Sequence, residues 1–275
     1  MDKFNIETNA PFKGFDFYAT DFDIHPDLES EIAENGIIAT MIAYNPSCAS
    51  WPKNKIMEAF SKGFFKHTQI KNPTKLVAQN KLVNGYFADL FSHYDGTYGV
   101  NQTLEFKFLG IGTRAGVAVA DGQTQLENEI YRFGPTERYS DNYRKFYFSR
   151  YITNAEGNMT STTVDAGTWT TTNIDLVSDT GIALYDSLQI STSVDSLDTL
   201  VTITAKTGNN ITYSPATAVA PVAGDTVTRT YGEIGLFLNP ATVTLNTPKM
   251  ADRAVTNMIK SGGKLINAIT THLAV

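Results

Sequence analysis

Gly232-Glu233-Ile234-Gly235-Leu236-Phe237 decides how this chain is read. The segment sets Ile234, Leu236 and Leu238 against Gly235, Phe237 and Asn239, the period-two alternation of a strand. Glu233 beside Gly235 is placed to anchor a turn, at a point where a missing side chain permits close packing. A second segment belongs with it. Leu104-Glu105-Phe106-Lys107-Phe108-Leu109 alternates and reads as another strand. Gly110-Ile111-Gly112-Thr113 brings that strand to a sharp turn for which positive φ at glycine is expected. Ala115 to Gly122 is small and flexible, hence a loop. The Thr124 to Glu127 spacing matches a capping box, which predicts a short helix over Leu126-Glu127-Asn128-Glu129-Ile130. Glu129 and Arg132 then sit three apart on one helical face, free to bridge to backbone or to a neighbouring subunit.

Between the two segments the composition shifts. From about Thr160 to Thr230, Thr, Val and Asp dominate and helix formers thin out. Ile174 to Val177, Leu188 to Ser191, Leu200 to Ala205 and Ile211 to Tyr213 read as short strands. Turns are expected at Asp179-Thr180-Gly181, Asp195-Ser196, Gly208-Asn209-Asn210 and Ala223-Gly224-Asp225. Strands this closely spaced predict a small antiparallel barrel or sandwich, inserted into a hairpin of a host domain. The Thr content is read as β-propensity rather than a binding code.

The flanks carry the helices. Residues 53–66 place Ile56, Phe60 and Phe64 at i, i+4 and i+8, an amphipathic helix that Gly63 weakens at its end. Residues 75–92 keep helical spacing through Leu76, Val83, Phe87 and Leu90, with a stop at His93-Tyr94-Asp95-Gly96. Residues 143–152 form an aromatic strand, closing at Asn154 to Asn158. Ahead of all this, Phe12, Phe15, Phe17, Tyr18 and Phe22 alternate with acids and read as an extended arm or extension. A short helix opens at His25-Pro26-Asp27 and ends at Asn35-Gly36. Met250 to Val275 shows partly helical spacing broken at Gly262-Gly263. It reads as two pieces, or as a helix to about Lys260 and a final strand, Lys264 to Val275. The resulting organisation is an N-terminal extension (1–50), an attachment domain in two parts (51–159 and 231–275) and an inserted β-module (160–230). The class is α+β, mainly β.

The bulk properties narrow the function. The 275 residues carry a net charge of −6 with only 18% charged residues. The basic stripe of a nucleic-acid binder is absent; Arg138, Arg144, Lys145 and Arg150 alternate with aromatics as on a half-buried strand. One cysteine, Cys48, excludes an internal disulfide framework. His25, His67, His93 and His272 show no ligand spacing, so no metal is expected. No window approaches the roughly 18–20 apolar residues of a membrane span, and the first residues do not resemble a signal peptide.

Nor do the motifs spell out catalysis. Gly110-Ile111-Gly112-Thr113 lacks the lysine of a phosphate loop and does not open onto a helix. The pairs Glu127/Glu129, Asp21/Asp23 and Asp195/Asp198 have the spacing of ordinary capped helices and turns rather than of a glycosidase. No nucleophile elbow or calcium loop is present. The expectation is a protein that is not an enzyme and needs no cofactor.

The order of signals, from the strand ending in Leu109-Gly110-Ile111-Gly112-Thr113 through Leu126 to Arg132 and on to Gly232 to Phe237, resembles the N-terminal attachment domains of tailed-phage collar and tail-fibre proteins. The likeness covers roughly residues 75–155 and 231–275. It departs at Arg114, where the family often has Gly, and in the large insert. The resemblance implies a structural component of a virion, made without a signal peptide, docking on the neck, collar, tail or baseplate as an adaptor or short fibre. Its implied partners are other virion proteins and further copies of itself in a symmetric oligomer, with neither nucleic acid nor membrane. Gly110, Gly112, Thr113, Glu129, Arg132, Glu233, Gly235 and Phe237 are its implied structural and assembly residues. Two alternatives share the setting. One is a decoration protein of the capsid. The other is a receptor reader that binds host surface glycan through the inserted module, with Trp169, Tyr185 and Tyr213 as stacking platforms.

Overall fold

The computed structural model describes residues 15–79, 81–82, 106–120, 122–141, 145–238, 244–245 and 250–271. Among them the chain is mainly β, with sixteen strands and three α-helices arranged as a sandwich and a barrel.

Two five-stranded antiparallel sheets make the sandwich. The front sheet runs in the order β2 (Thr68–Gln79), β1 (Phe15–Ile24), β16 (Gly263–Thr271), β7 (Lys145–Ile152) and β6 (Glu137–Asp141). The back sheet runs β3 (Lys81–Leu82), β15 (Met250–Met258), β14 (Tyr231–Leu238), β4 (Phe106–Gly112) and β5 (Glu129–Phe133). Period-two alternation gives each strand two faces. Phe17, Phe148 and Ile266 of the front sheet meet Leu109, Ile111, Ile234 and Leu236 of the back sheet in one core. Each such side chain contributes about 1.5–3 kcal/mol when fully buried.

The outer face of the front sheet is capped by helices. These are α1 (Pro26–Asn35), α2 (Ile37–Tyr44) and α3 (Lys53–Ser61). Leu28, Ile32, Ile37, Met41, Ile56 and Phe60 close on Phe22, Leu265 and Tyr151 of the sheet. Helix α1 starts with Pro26 and carries Asp27 and Glu29 in its first turn, where acids complement the exposed N–H groups. Glu29 then reaches across to the sheet, accepting from the Asn154 backbone N–H at 2.8 Å and the Tyr151 hydroxyl at 3.0 Å.

The third sheet is built from β8 (Ser161–Thr163), β13 (Thr226–Arg229), β10 (Ser187–Thr192), β11 (Leu197–Thr207), β12 (Asn210–Ser214) and β9 (Asn173–Asp175), in that spatial order. Its edges meet. Val164 bridges Leu176, the Asp165 N–H donates to the Asp175 carbonyl at 2.8 Å, and the Val177 N–H donates to that of Thr163 at 2.9 Å. The sheet thus curls into a small barrel, which hides the strand edges that would otherwise template aggregation. Its interior is Ile174, Leu176, Leu188, Ile190, Val201, Ile203, Ile211, Tyr213 and Val227.

Several sequence expectations change here. The described part of the expected 75–92 helix, residues 75–79 and 81–82, is strand; the remainder lies outside the described residues. Pairing of β2 along β1 over eight register positions outweighs a helical spacing that nothing caps. Leu126 to Asn128 is a turn leading into β5 rather than a helix, because Glu233 captures its backbone donors (below). Phe15–Ile24 is no arm: it lies between β2 and β16, with Phe15, Phe17 and Phe22 buried. The tail has no helix over 250–260; its two pieces are β15 and β16, separated at Gly262 (φ +83°). Phe64, expected on the buried face of α3, is 75% exposed because the helix stops at Ser61; Phe65 turns inward instead.

Candidate functional site at the joint of sandwich and barrel

The motif segments converge on the outer face of the back sheet. Glu233 on β14 points to that face, opposite Gly112 of β4 in the strand register. A Cβ at Gly112 would lie 2.3 Å from the Glu233 Oε1 and 2.6 Å from its Cγ. A Cβ at Gly110 would meet the Phe237 ring at 2.5 Å and the Glu129 Oε1 at 2.9 Å. Neither glycine has positive φ. The expected sharp turn is therefore wrong: both glycines lie within β4, and what they supply is space. Charged and aromatic side chains of the adjacent strands fill that hollow.

The filling is a network of buried ions. Glu233 accepts from the backbone N–H groups of Glu127 (3.1 Å) and Asn128 (2.8 Å), which fixes the turn before β5. The Arg253 Nε donates to the Glu233 Oε2 at 2.7 Å, and both side chains are fully buried. The same guanidinium donates to the Ala118 carbonyl (3.2 Å), the Gln123 Oε1 (3.2 Å) and the Arg114 carbonyl (3.4 Å), so it pins the loop that crosses the sheet. Beside this pair, Arg132 grips Glu129 with two bonds of 2.6 Å, again fully buried. Its guanidinium carbon sits 3.7 Å from the centre of the Phe237 ring, a cation–π contact in a dry site. Phe108, Leu126, Phe237 and Met250 seal the network from water.

Thr113 carries the network to the barrel. Its hydroxyl donates to the Asp186 Oδ1 at 2.6 Å and accepts from the Asn128 Nδ2 (2.7 Å) and the Arg229 Nη2 (3.2 Å). Asp186 also takes the Ala183 N–H at 2.9 Å and lies 3.6 Å from the Arg229 Nε. The backbone continues the link. The Ser187 N–H donates to the Thr113 carbonyl at 2.8 Å, the Gly116 N–H to that of Tyr185 at 3.1 Å, and the Thr230 N–H to that of Ser187 at 2.9 Å. Nearby, the Tyr231 hydroxyl donates to the Gly157 carbonyl at 2.8 Å, and burial pushes that phenol well above its ordinary pKa.

All eight motif residues, Gly110, Gly112, Thr113, Glu129, Arg132, Glu233, Gly235 and Phe237, thus meet in one interior joint. Glu129 and Arg132 meet on a strand, not on the expected helix. Sequence reading missed their partners Asp186, Arg229 and Arg253. A signal for Arg253 exists: Asp252-Arg253 is flanked by Met250-Ala251 and Ala254-Val255, ions set between apolar neighbours. The insert's aromatic trio does not assemble. Tyr213 belongs to the barrel core at 1% exposure, since its alternation with Ile211 turns it inward. Trp169 packs against that core and donates its indole N–H to the Asp165 carbonyl at 2.9 Å. Tyr185 stands 40% exposed at φ +71°, beside Gly116.

The arrangement holds shape. Each carboxylate at its centre is bound by arginine or by oriented N–H and O–H donors, and the network spans the loop, the back sheet and the barrel strands β10 and β13. The chain matches no protein-family model, no curated protein and no solved structure.

Proposed function

We propose that this protein is a non-enzymatic structural component of a tailed-phage virion, an adaptor or short fibre at the neck, collar, tail or baseplate. The sandwich is the attachment body and the barrel is the module it presents. One observation carries the reading. Of the residues that resemble the collar and tail-fibre attachment domains, Thr113 bonds directly to the barrel, and Glu233 with its partner Arg253 holds the turn and the loop beside it. Buried ion pairs are poor sources of net stability, and in some proteins they fix a single geometry; an adaptor depends on holding its presented module at one angle. Copies of the chain arranged about a symmetry axis then project identical barrels.

Mass spectrometry of gradient-purified particles tests the proposal, combined with antibody labelling of the barrel in electron micrographs. The expected result is a fixed copy number per particle and label at the neck, tail or baseplate. Absence from purified particles, together with a stable isolated monomer, would overturn it. Label confined to the head surface would transfer the protein to capsid decoration.

A further inference from the structure

The helices do not roof the whole front sheet. They cover the end bearing Phe22, Leu265 and Tyr151. Farther along the same face lie Tyr18, Asn267, Ile269, Tyr147 and Tyr139, and with α3 as one wall they line a groove of about 650 Å³. That volume is typical of small-ligand sites, which run at about 300–1,000 Å³. We infer that this groove binds a neutral saccharide.

Three features point to that chemistry. The first is an aromatic slab. Tyr139 and Tyr147 stack with ring centres 4.5 Å apart and planes 10° from parallel, and Met57 and Ile269 extend the apolar surface beside them. The C–H face of a pyranose ring lies against such surfaces. The second is unmatched hydrogen-bonding capacity. Asn267 stands directly opposite Tyr18 on one side and Ser149 on the other. The Asn267 Oδ1 is buried without a partner among the described residues. Unmatched polar atoms in a native interior call for an explanation. An amide that gives up no bond when it turns can present either its oxygen or its NH₂ to a ligand hydroxyl. The third is charge. The groove's cation and anion, Lys62 and Glu58, neutralise each other on the rim at 2.5 Å. Among the described residues of the lining a charged ligand would find no free counter-ion, and a purely apolar one would leave the amide unmatched. A sugar satisfies both the ring surface and the amide.

The site lies on the sandwich, away from the aromatic residues of the barrel, and the inference stands whether or not the chain belongs to a virion. The test uses the full chain and saturation-transfer NMR with neutral gluco-, galacto- and N-acetylglucosamine oligosaccharides at millimolar concentration. Sialylated and sulfated glycans and a proline-rich peptide serve as competitors of other chemistry. Binding of at least one neutral series is expected. Asn267→Leu is expected to abolish it, and Tyr18→Phe, which keeps the ring, to weaken it about three- to tenfold, the share of one neutral hydrogen bond. Trp169→Ala should leave it unchanged. Should Asn267→Leu fail to fold by circular dichroism, Tyr18→Phe decides. No transfer to any neutral sugar overturns the inference, as does binding indifferent to both groove variants, binding lost in Trp169→Ala, or a preference for the charged glycans or the peptide.

Discussion

Arg253→Met is the sharpest test of the joint. Methionine matches the length of the arginine stem and leaves no cavity of consequence, so the change isolates the guanidinium. Two effects follow. The Glu233 carboxylate, fully buried, loses its arginine partner, and three oxygens of the crossing loop lose donors. The loop oxygens lie at a partly exposed surface, where water replaces the lost bonds at little cost. The carboxylate is different: stripping one partner from a buried pair costs about 3–5 kcal/mol. Glu233 keeps the N–H groups of Glu127 and Asn128, which places the expected loss at the lower end, about 3 kcal/mol. With urea slopes of about 1–3 kcal/mol per molar, that moves the unfolding midpoint by about 1–3 M. Urea titration followed by tryptophan fluorescence reads it, since Trp51 reports the helical face and Trp169 the barrel. The decisive step is the second mutation. In the Arg253→Met background, Glu233→Gln removes the orphaned charge, so the double variant should recover about 1–2 kcal/mol through coupling of the two sites. A single-variant loss under about 1 kcal/mol would refute the reasoning. So would a Glu233→Gln effect of equal size in both backgrounds.

Gly112→Ala drives a Cβ into Glu233 at 2.3 Å and should destabilise by about 3 kcal/mol or more by calorimetry, overpacking added to a displaced carboxylate. Gly122→Ala, where nothing lies within 4 Å of the new Cβ, should stay within about 0.5 kcal/mol of wild type. Asp186→Asn weakens charge-assisted bonds between Thr113 and the barrel, about 1.5–3 kcal/mol. In single-tryptophan variants the Trp169 transition should then separate from the Trp51 transition, and coincident transitions would deny Asp186 its part in the joint. Glu137 gives a pH signature. Burial raises its carboxyl above the usual value of 4.5, although it accepts the Ile38 N–H at 2.8 Å. The folded chain therefore takes up that proton at higher pH than the unfolded chain does. Wild type should gain stability relative to Glu137→Gln as pH falls through the folded value, with the gain complete below the unfolded one. Urea midpoints of the two proteins at pH 7 and pH 4 measure it, and a constant difference would rule it out.

What could be read from sequence was whatever a local rule governs. Alternation found β4, β7 and β14, because half-buried strands must alternate wherever they sit. Asp179-Thr180-Gly181, Gly208-Asn209-Asn210 and Ala223-Gly224-Asp225 fell at real turns, where Gly181, Gly208 and Gly224 take positive φ. The acids after Pro26 and the glycine at position 36 bounded α1 correctly. The misreadings lie where a distant partner decides. Leu76 sits at helical spacing from its neighbours, yet its strand pairs Leu76 with Tyr18, far away in sequence. Thr124 and Glu127 satisfy the capping-box pattern. The Glu127 N–H that such a box would serve goes instead to Glu233, more than a hundred residues downstream. The role of Arg253 was not legible because its partner Glu233 lies on the neighbouring strand, outside any local pattern.

The same contrast explains why the motif is visible at all. Glycine beside charge is the pattern that usually marks a phosphate loop or a catalytic turn, because both need backbone freedom and exposed polar groups. Here the pattern arises from packing. Gly110 and Gly112 clear room on one strand, Glu233 and Phe237 enter that room from the next, and Arg253 and Arg132 follow to neutralise the carboxylates they meet. None of these residues can change alone without leaving a void, a clash or an unpaired ion, so they form one unit although more than a hundred positions, the insert among them, separate Gly112 from Glu233. An insertion at this point is tolerated because the unit already closes across it. Thr113 on one side and Thr230 on the other hold the Ser187 backbone between them, and any barrel whose first long strand presents that backbone, together with an Asp186 carboxylate, is seated in one orientation.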